Sequence, residues 1–262
     1  MLKKLFKYDL LWTMKTMPYY YIAVIVFGIA AMFTNRLSNA NQGIIGWVIV
    51  DKIFSNIFIS ACFTAAITVF IRIFIRFRRN FYKDEAYLTH TLPVSPEKMF
   101  LSKVLSGLVC CVITALVIAA GICVTLSSVK TFDWFFGLID STAVIVALLL
   151  ILEVLSLILV VYTAMVIANR FGSSKTLKGV LVAIGLYIVV VNIALISIAF
   201  AYFINPDIAV IFKTSFNTSA EYETIKSIIK LVCSCACVGY AVSDTLLYLI
   251  GSKLFSKGVN ID

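Results

Sequence analysis

Six long apolar runs leave this chain few folds to choose from. They cover about residues 19–33, 53–77, 104–126, 138–168, 180–204 and 229–251. A helix of about 20 apolar residues crosses a bilayer, and these runs are of that order. Lipid offers the backbone no hydrogen-bond partner, so each run is read as a helix. The predicted fold is an all-α, polytopic bundle of six transmembrane helices forming one transmembrane domain over residues 1–262. Composition agrees. The 262 residues are 62% hydrophobic and 13% charged, with a mean hydropathy of +1.04, whereas soluble domains carry about 25% charged residues.

The first run resembles the core of a signal peptide. A long segment precedes it and no small-x-small cleavage site follows closely, so it is read as a span starting near Pro18. The fourth run is long enough to tilt, kink or protrude. Residues 1–17 are lysine-rich. On a helical wheel Lys3, Lys4, Lys7 and Lys15 share one arc, with Leu2, Leu5, Phe6 and Trp12 opposite. That pattern predicts a helix lying in the membrane interface. Leu11 and Met14 fall on the lysine side, and Asp9 falls on the apolar side. Asp9 is therefore expected to pair with a basic residue of a neighbouring element.

The formal charge is +9. The basic residues gather at the ends of the apolar runs, which suits anionic headgroups and argues against nucleic acid as a partner. With the amino terminus inside, only Arg36, Lys52, Lys130, Lys213, Lys226 and Lys230 of the 22 Lys and Arg fall outside. This bias predicts a multi-pass protein of the cell membrane with both termini cytoplasmic. The outer connections are then 34–52, 127–137 and 205–228. The last is long enough for a short helix capping the mouth of a pathway, or for a plain surface loop.

All seven cysteines (Cys62, Cys110, Cys111, Cys123, Cys233, Cys235 and Cys237) lie in apolar segments. They are read as small packing residues, not a disulfide framework. Cys233 and Cys237 share a helical face that a soft metal could use, but packing is the reading taken, and no metal site is expected.

The longest polar stretch before residue 205 is the connection 78–103. Arg72, Arg76 and Arg79 precede it at helical spacing and make one basic face. That face suits either lipid phosphates or a soluble partner. Asp84 and Glu85 then open a short helix that Pro93 stops. Ser95 and Pro96 begin the next helix, with Glu97 in its first turn. His90 is the only histidine. Without a second ligand nearby it is read as a surface or contact residue.

The run Asp84-Glu85-Ala86-Tyr87-Leu88-Thr89-His90-Thr91-Leu92-Pro93-Val94-Ser95, followed by Leu101-Ser102-Lys103, resembles the first cytoplasmic loop of the small six-span permeases of type 2 ABC exporters in Gram-positive bacteria. Leu5-Phe6-Lys7-Tyr8-Asp9-Leu10 is similar to their amino-terminal interfacial helix. The resemblance implies that the loop is a coupling helix, with Asp84, Glu85, Tyr87, Leu88, His90 and Leu92 docking on a separate nucleotide-binding ATPase subunit. It also implies a second permease chain, as a homodimer or a similar heterodimer. ATP and Mg²⁺ would be held by the partner subunit, with no cofactor in this chain. In agreement, Gly172-Ser173-Ser174-Lys175-Thr176 is not a phosphate loop, because Ser174 stands where the glycine before the lysine must be.

Two acids lie deep in apolar runs: Glu153 in the fourth and Asp244 in the sixth. Acids are costly in lipid and mark either function or structural pairing. Arg72 is the expected partner in the second case. Asn192 in the fifth run is read as interhelical glue. Ser234, Ala236, Gly239, Ala241 and Ser243 permit close helix approach in the sixth run, at a dimer seam or within the chain.

The resulting expectation is a transporter subunit, not an enzyme: the permease of an ATP-driven exporter. Its cargo would be hydrophobic or amphipathic, small antimicrobial or cytolytic peptides first, drugs or lipids next. An ion-coupled secondary transporter using Glu153 and Asp244 is the rival. It would normally show internal repeats and broken mid-span helices, and neither is evident. An intramembrane enzyme has no supporting motif.

Overall fold

The computed structural model describes residues 2–41, 44–82, 86, 94–126, 141–170, 175–204 and 222–257. Seven helices account for nearly all of them: α1 (Leu2–Met14), α2 (Met17–Ala40), α3 (Ile45–Tyr82), α4 (Pro96–Leu126), α5 (Ser141–Ala168), α6 (Lys175–Ile204) and α7 (Tyr222–Ser256). No strand occurs among the described residues. The six helices α2 to α7 are each long and apolar enough to cross a membrane. The protein is an all-α polytopic membrane protein.

Several helices outrun their apolar cores. The expected connection over 34–52 is mostly helix, because α2 continues to Ala40 and α3 starts at Ile45. Hydropathy marks where lipid ends, not where a helix ends. Polar side chains past the core fold back onto their own helix: Thr34 Oγ1 donates to the Ala31 carbonyl at 3.1 Å and Asn39 Nδ2 to Asn35 Oδ1 at 2.8 Å. No Gly or Pro stands between Gly28 and Gly43 to stop it. Likewise α7 takes in the end of the expected 205–228 connection. The remainder, 205–221, and the whole 127–137 connection lie outside the described residues. Pro18 sits in the first turn of α2. Pro96 begins α4, and the Ser95 carbonyl accepts from the Lys98 and Met99 amides at 3.0 and 3.2 Å.

The chain divides into two compact units, one of residues 1–80 and 105–138, the other of 81–104 and 139–262. In the first, Val24 and Ala31 of α2 pack with Phe58 and Ala65 of α3, and Val117 of α4 closes over them. Tyr21 of α2 and Thr114 of α4 share a hydrogen bond of 2.8 Å.

A clasp on the amino-terminal helix belongs to the same unit. Arg72 donates from Nε to the Thr13 carbonyl and from Nη2 to the Trp12 carbonyl, both at 3.1 Å. These carbonyls lie in the last turn of α1, where no intrahelical donor remains and the helix dipole is negative. Arg76 Nε lies 3.2 Å from Asp9 Oδ1. Trp12 lies under both guanidiniums, 4.8 and 5.0 Å from ring centroid to Cζ. The misfit of Asp9 on the wheel thus has the basic partner expected of it. Two residues of the basic face of α3, Arg72 and Arg76, thus grip α1.

In the second unit α5, α6 and α7 pack against one another. Helices in lipid gain little from hydrophobic burial, so close approach and polar contacts hold them. Gly239 of α7 shows this. A Cβ there would stand 2.4 Å from Ser197 Oγ and 2.9 Å from Ser197 Cβ of α6. At Gly239, then, the small residues of the sixth run serve an intrachain contact. Outward-facing Ile184, Ile188, Ile196, Phe200 and Phe203 make α6 an apolar surface, as a lipid-facing helix requires.

Candidate functional site

Polar groups inside the second unit collect between α5 and α7. Ser156 of α5 donates its hydroxyl to Asp244 Oδ1 of α7. Both residues are buried, Asp244 at 4% exposure. The other oxygen, Oδ2, is buried with no hydrogen-bond partner among the described residues. One turn before Ser156 stands Glu153, half-buried. One turn before Asp244 stands Tyr240, within electrostatic range of Glu153, Asp244 and Tyr187 of α6. Spacings of three and four residues put each pair on one helical face. Thr163 Oγ1 extends the seam by donating to the Leu247 carbonyl at 3.4 Å.

Pairing with Arg72 is one of two expectations for the acids; within its own unit each of Arg72 and Asp244 has other partners. The guanidinium is engaged by the α1 carbonyls and Trp12, and Asp244 is engaged by Ser156. A carbonyl-rich helix end satisfies several guanidinium donors at once, and an apolar span can supply a hydroxyl where it cannot supply a cation. Asn192, expected to join two helices, makes no interhelical hydrogen bond among the described residues. It is exposed, and its amide returns to the Ile188 carbonyl of its own helix at 2.8 Å. Cys237 Sγ approaches the Ile145 carbonyl at 3.9 Å, an α7–α5 contact. No three His, Cys, Asp or Glu side chains come together among the described residues.

The proposed docking residues Asp84, Glu85, Tyr87, Leu88, His90 and Leu92 lie outside the described residues, while Ala86 is helical and buried. The two ends of that segment are described. Phe81, before it, meets Phe255 of α7 edge-on, ring centroids 4.6 Å apart. Phe100, after it, stands 6.1 Å from the same Phe255 ring, 5.9 Å from Tyr248 of α7 and 6.2 Å from Tyr162 of α5. Lys103 Nζ lies 5.5 Å from the Phe81 centroid. Gly251 makes room for this cluster: a Cβ there would come within 2.8 Å of Thr163 Oγ1 and 3.0 Å of Phe100 Cζ. Arg170 closes the end of α7 by donating to the Leu254 carbonyl.

Sequence reasoning missed this aromatic staple. Phe81, Phe100 and Phe255 are three of 20 phenylalanines in the chain, with no spacing to link them. It also passed over Asp51, buried near the start of α3 with Oδ1 unpartnered among the described residues. Asp51 fell in a stretch read as a loop, where an acid needs no explanation.

Comparison with protein-family models, curated proteins and solved structures found no match.

Proposed function

We propose that this chain is the membrane-spanning permease subunit of an ATP-driven exporter. The observation that carries the reading is the packing of the residues that flank the 83–95 segment. Its sequence resembles a coupling helix, and the residues flanking it, Phe81 and Phe100, both pack on Phe255 at the end of α7. A partner that pushes the segment therefore pushes α7. That helix packs on α5 and α6, so displacement spreads through the second unit.

In this reading the termini and the 83–95 segment are cytoplasmic. A separate nucleotide-binding subunit holds ATP and Mg²⁺, and two permease chains, identical or similar, complete the transporter. Hydrolysis moves the segment and switches access between the two membrane faces. The cargo is hydrophobic or amphipathic, with small antimicrobial or cytolytic peptides as the leading class. The class rests on the apolar character of the bundle and on analogy of fold.

The test is reconstitution. The chain is coexpressed with a candidate nucleotide-binding subunit, and the complex is placed in proteoliposomes with amphipathic cationic peptides. Peptide-stimulated ATP hydrolysis and ATP-dependent peptide movement are expected. A complex that forms yet moves no peptide, drug or lipid under ATP overturns the exporter reading.

A further inference from the structure

We propose that Asp244 is a proton-binding site inside the membrane, loaded while α5 and α7 are packed. This goes beyond the exporter reading and does not rest on it.

Asp244 is 4% exposed, and a buried carboxylate without a counter-charge is costly. Among the described residues of its own unit, no basic residue stands near along the helices. On α7, Lys253 and Lys230 are nine and fourteen residues away, about 14 and 21 Å at a rise of about 1.5 Å per residue. Past the end of α5, Arg170 is fourteen residues from Ser156, and its guanidinium is held by the Leu254 carbonyl. On α6, Lys178 is nine residues from Tyr187, about 14 Å by the same rise. Lys103 of α4 sits over Phe81, whose ring packs on Phe255, a further eleven residues along α7 from Asp244.

The described residues of its own unit therefore supply no cation to match Asp244, and the oxygen count decides what does. Hard metal cations take six or more oxygens. The pair presents three, two from Asp244 and one from Ser156. An ammonium needs acceptors for three donors and a space that a residue this buried does not leave. A proton needs one oxygen.

The contact with Ser156 serves both charge states. Ionised, Asp244 accepts the Ser156 hydroxyl at Oδ1. Loaded, the proton sits on Oδ1, the acid donates to Ser156 Oγ, and Oδ2 becomes a carbonyl oxygen. An unpaired carbonyl oxygen is the less costly buried orphan. That matches the atom left without a partner. The Ser156 hydroxyl hydrogen then turns to the carbonyl four residues back, a common serine bond in helices. The proton comes from water and returns to it, so charge balances. Tyr240 on α7 is within electrostatic range of Asp244, of Glu153 on α5 and of Tyr187 on α6, and Tyr248 stands one turn past Asp244 on α7. A negative charge on Glu153 opposes a second one on Asp244.

Infrared spectroscopy tests this on the full chain in lipid nanodiscs, with no ATPase subunit present. At neutral pH the wild type is expected to show a protonated-carboxyl stretch that moves down when aspartate is ¹³C-labelled. The band should vanish in Asp244→Asn, survive in Asp51→Asn and Glu153→Gln, and shift in Ser156→Ala. Should Asp244→Asn fail to fold, the labelled wild type and Ser156→Ala decide. A labelled wild type without the band, or a band indifferent to Asp244→Asn or Ser156→Ala, overturns the proposal. Either failure leaves the exporter reading standing, because no transport is measured.

Discussion

Phe81 and Phe255 meet edge-on, ring centroids 4.6 Å apart. The first precedes the 83–95 segment and the second lies in the last turn of α7. With Phe100 beyond the segment, one α7 residue meets an aromatic ring on either side of it in sequence. Edge-to-face pairs contribute about 0.5–1.5 kcal/mol beyond burial, enough to transmit position without welding the parts.

Phe255→Ala removes the shared ring from a buried site. Truncating a buried phenylalanine costs about 3–5 kcal/mol. The variant is expected to melt lower in detergent and, with the nucleotide-binding subunit present, to hydrolyse ATP without peptide stimulation. Phe255→Leu should recover most of the stability and only part of the stimulation. A Phe255→Ala protein that melts normally and remains peptide-stimulated would remove the staple from the mechanism.

The clasp on α1 makes a sharper energetic prediction. Asp9 and Arg76 form a pair whose side chains are 4% and 15% exposed. Breaking such a pair from one side costs about 3–5 kcal/mol. Asp9→Asn should therefore lower the midpoint of thermal unfolding, and Arg76→Leu should do so as well. The double variant should lose less than the two losses added, because neither charge is then stranded. Additive losses, read by the same unfolding assay, would show that the pair contributes nothing.

How far the sequence reached can be argued residue by residue. The six membrane helices were legible because hydropathy reports directly on solvent, and Pro96 marked a helix start because its ring allows little else. Asp9 announced a partner by sitting on the wrong arc. Arg72 could not be placed, since its acceptors are the main-chain carbonyls of Trp12 and Thr13, and every residue owns a carbonyl. Asp244 was legible as costly, but its Ser156 partner was one serine among many. The small residues of α7 announced a close approach without naming the helix approached. Pairing between helices is a property of three-dimensional register, and a single sequence of uniformly apolar spans carries little of it.

Gly239 tests that register. A Cβ there would collide with Ser197 Oγ and Cβ at 2.4 and 2.9 Å, with Ala194 Cα at 3.3 Å. Overpacking of this kind costs about 1–3 kcal/mol. Gly239→Ala is expected to lower the unfolding midpoint, and adding Ser197→Gly should restore much of it by removing both close atoms. Unfolding that Gly239→Ala leaves unchanged would mean α6 and α7 do not approach there.

The orientation can be read chemically. With both termini cytoplasmic, a cysteine placed at Thr218 in a cysteine-depleted background should react with a membrane-impermeant maleimide added outside intact cells. One at Thr91 should react only after the membrane is opened. The reverse pattern would invert the topology and the direction of transport with it.

The docking role of the 83–95 segment is the most direct test of the exporter reading. Tyr87 and Leu88 carry the largest apolar groups between Asp84 and Leu92, and a short helix docking in a groove depends on such anchors. Aromatic and aliphatic anchors of this kind commonly carry 2 kcal/mol or more of an interface, about a thirtyfold change in affinity each. Replacing both with Asp adds two charges where a groove expects apolar groups. The nucleotide-binding subunit should then no longer copurify with the chain, while membrane insertion and the unfolding midpoint stay near wild type, because neither residue belongs to a membrane-spanning run. Copurification undiminished by the double substitution would show that the ATPase subunit, if one binds, binds elsewhere. The staple formed by Phe81, Phe100 and Phe255 would then have to be explained as packing alone.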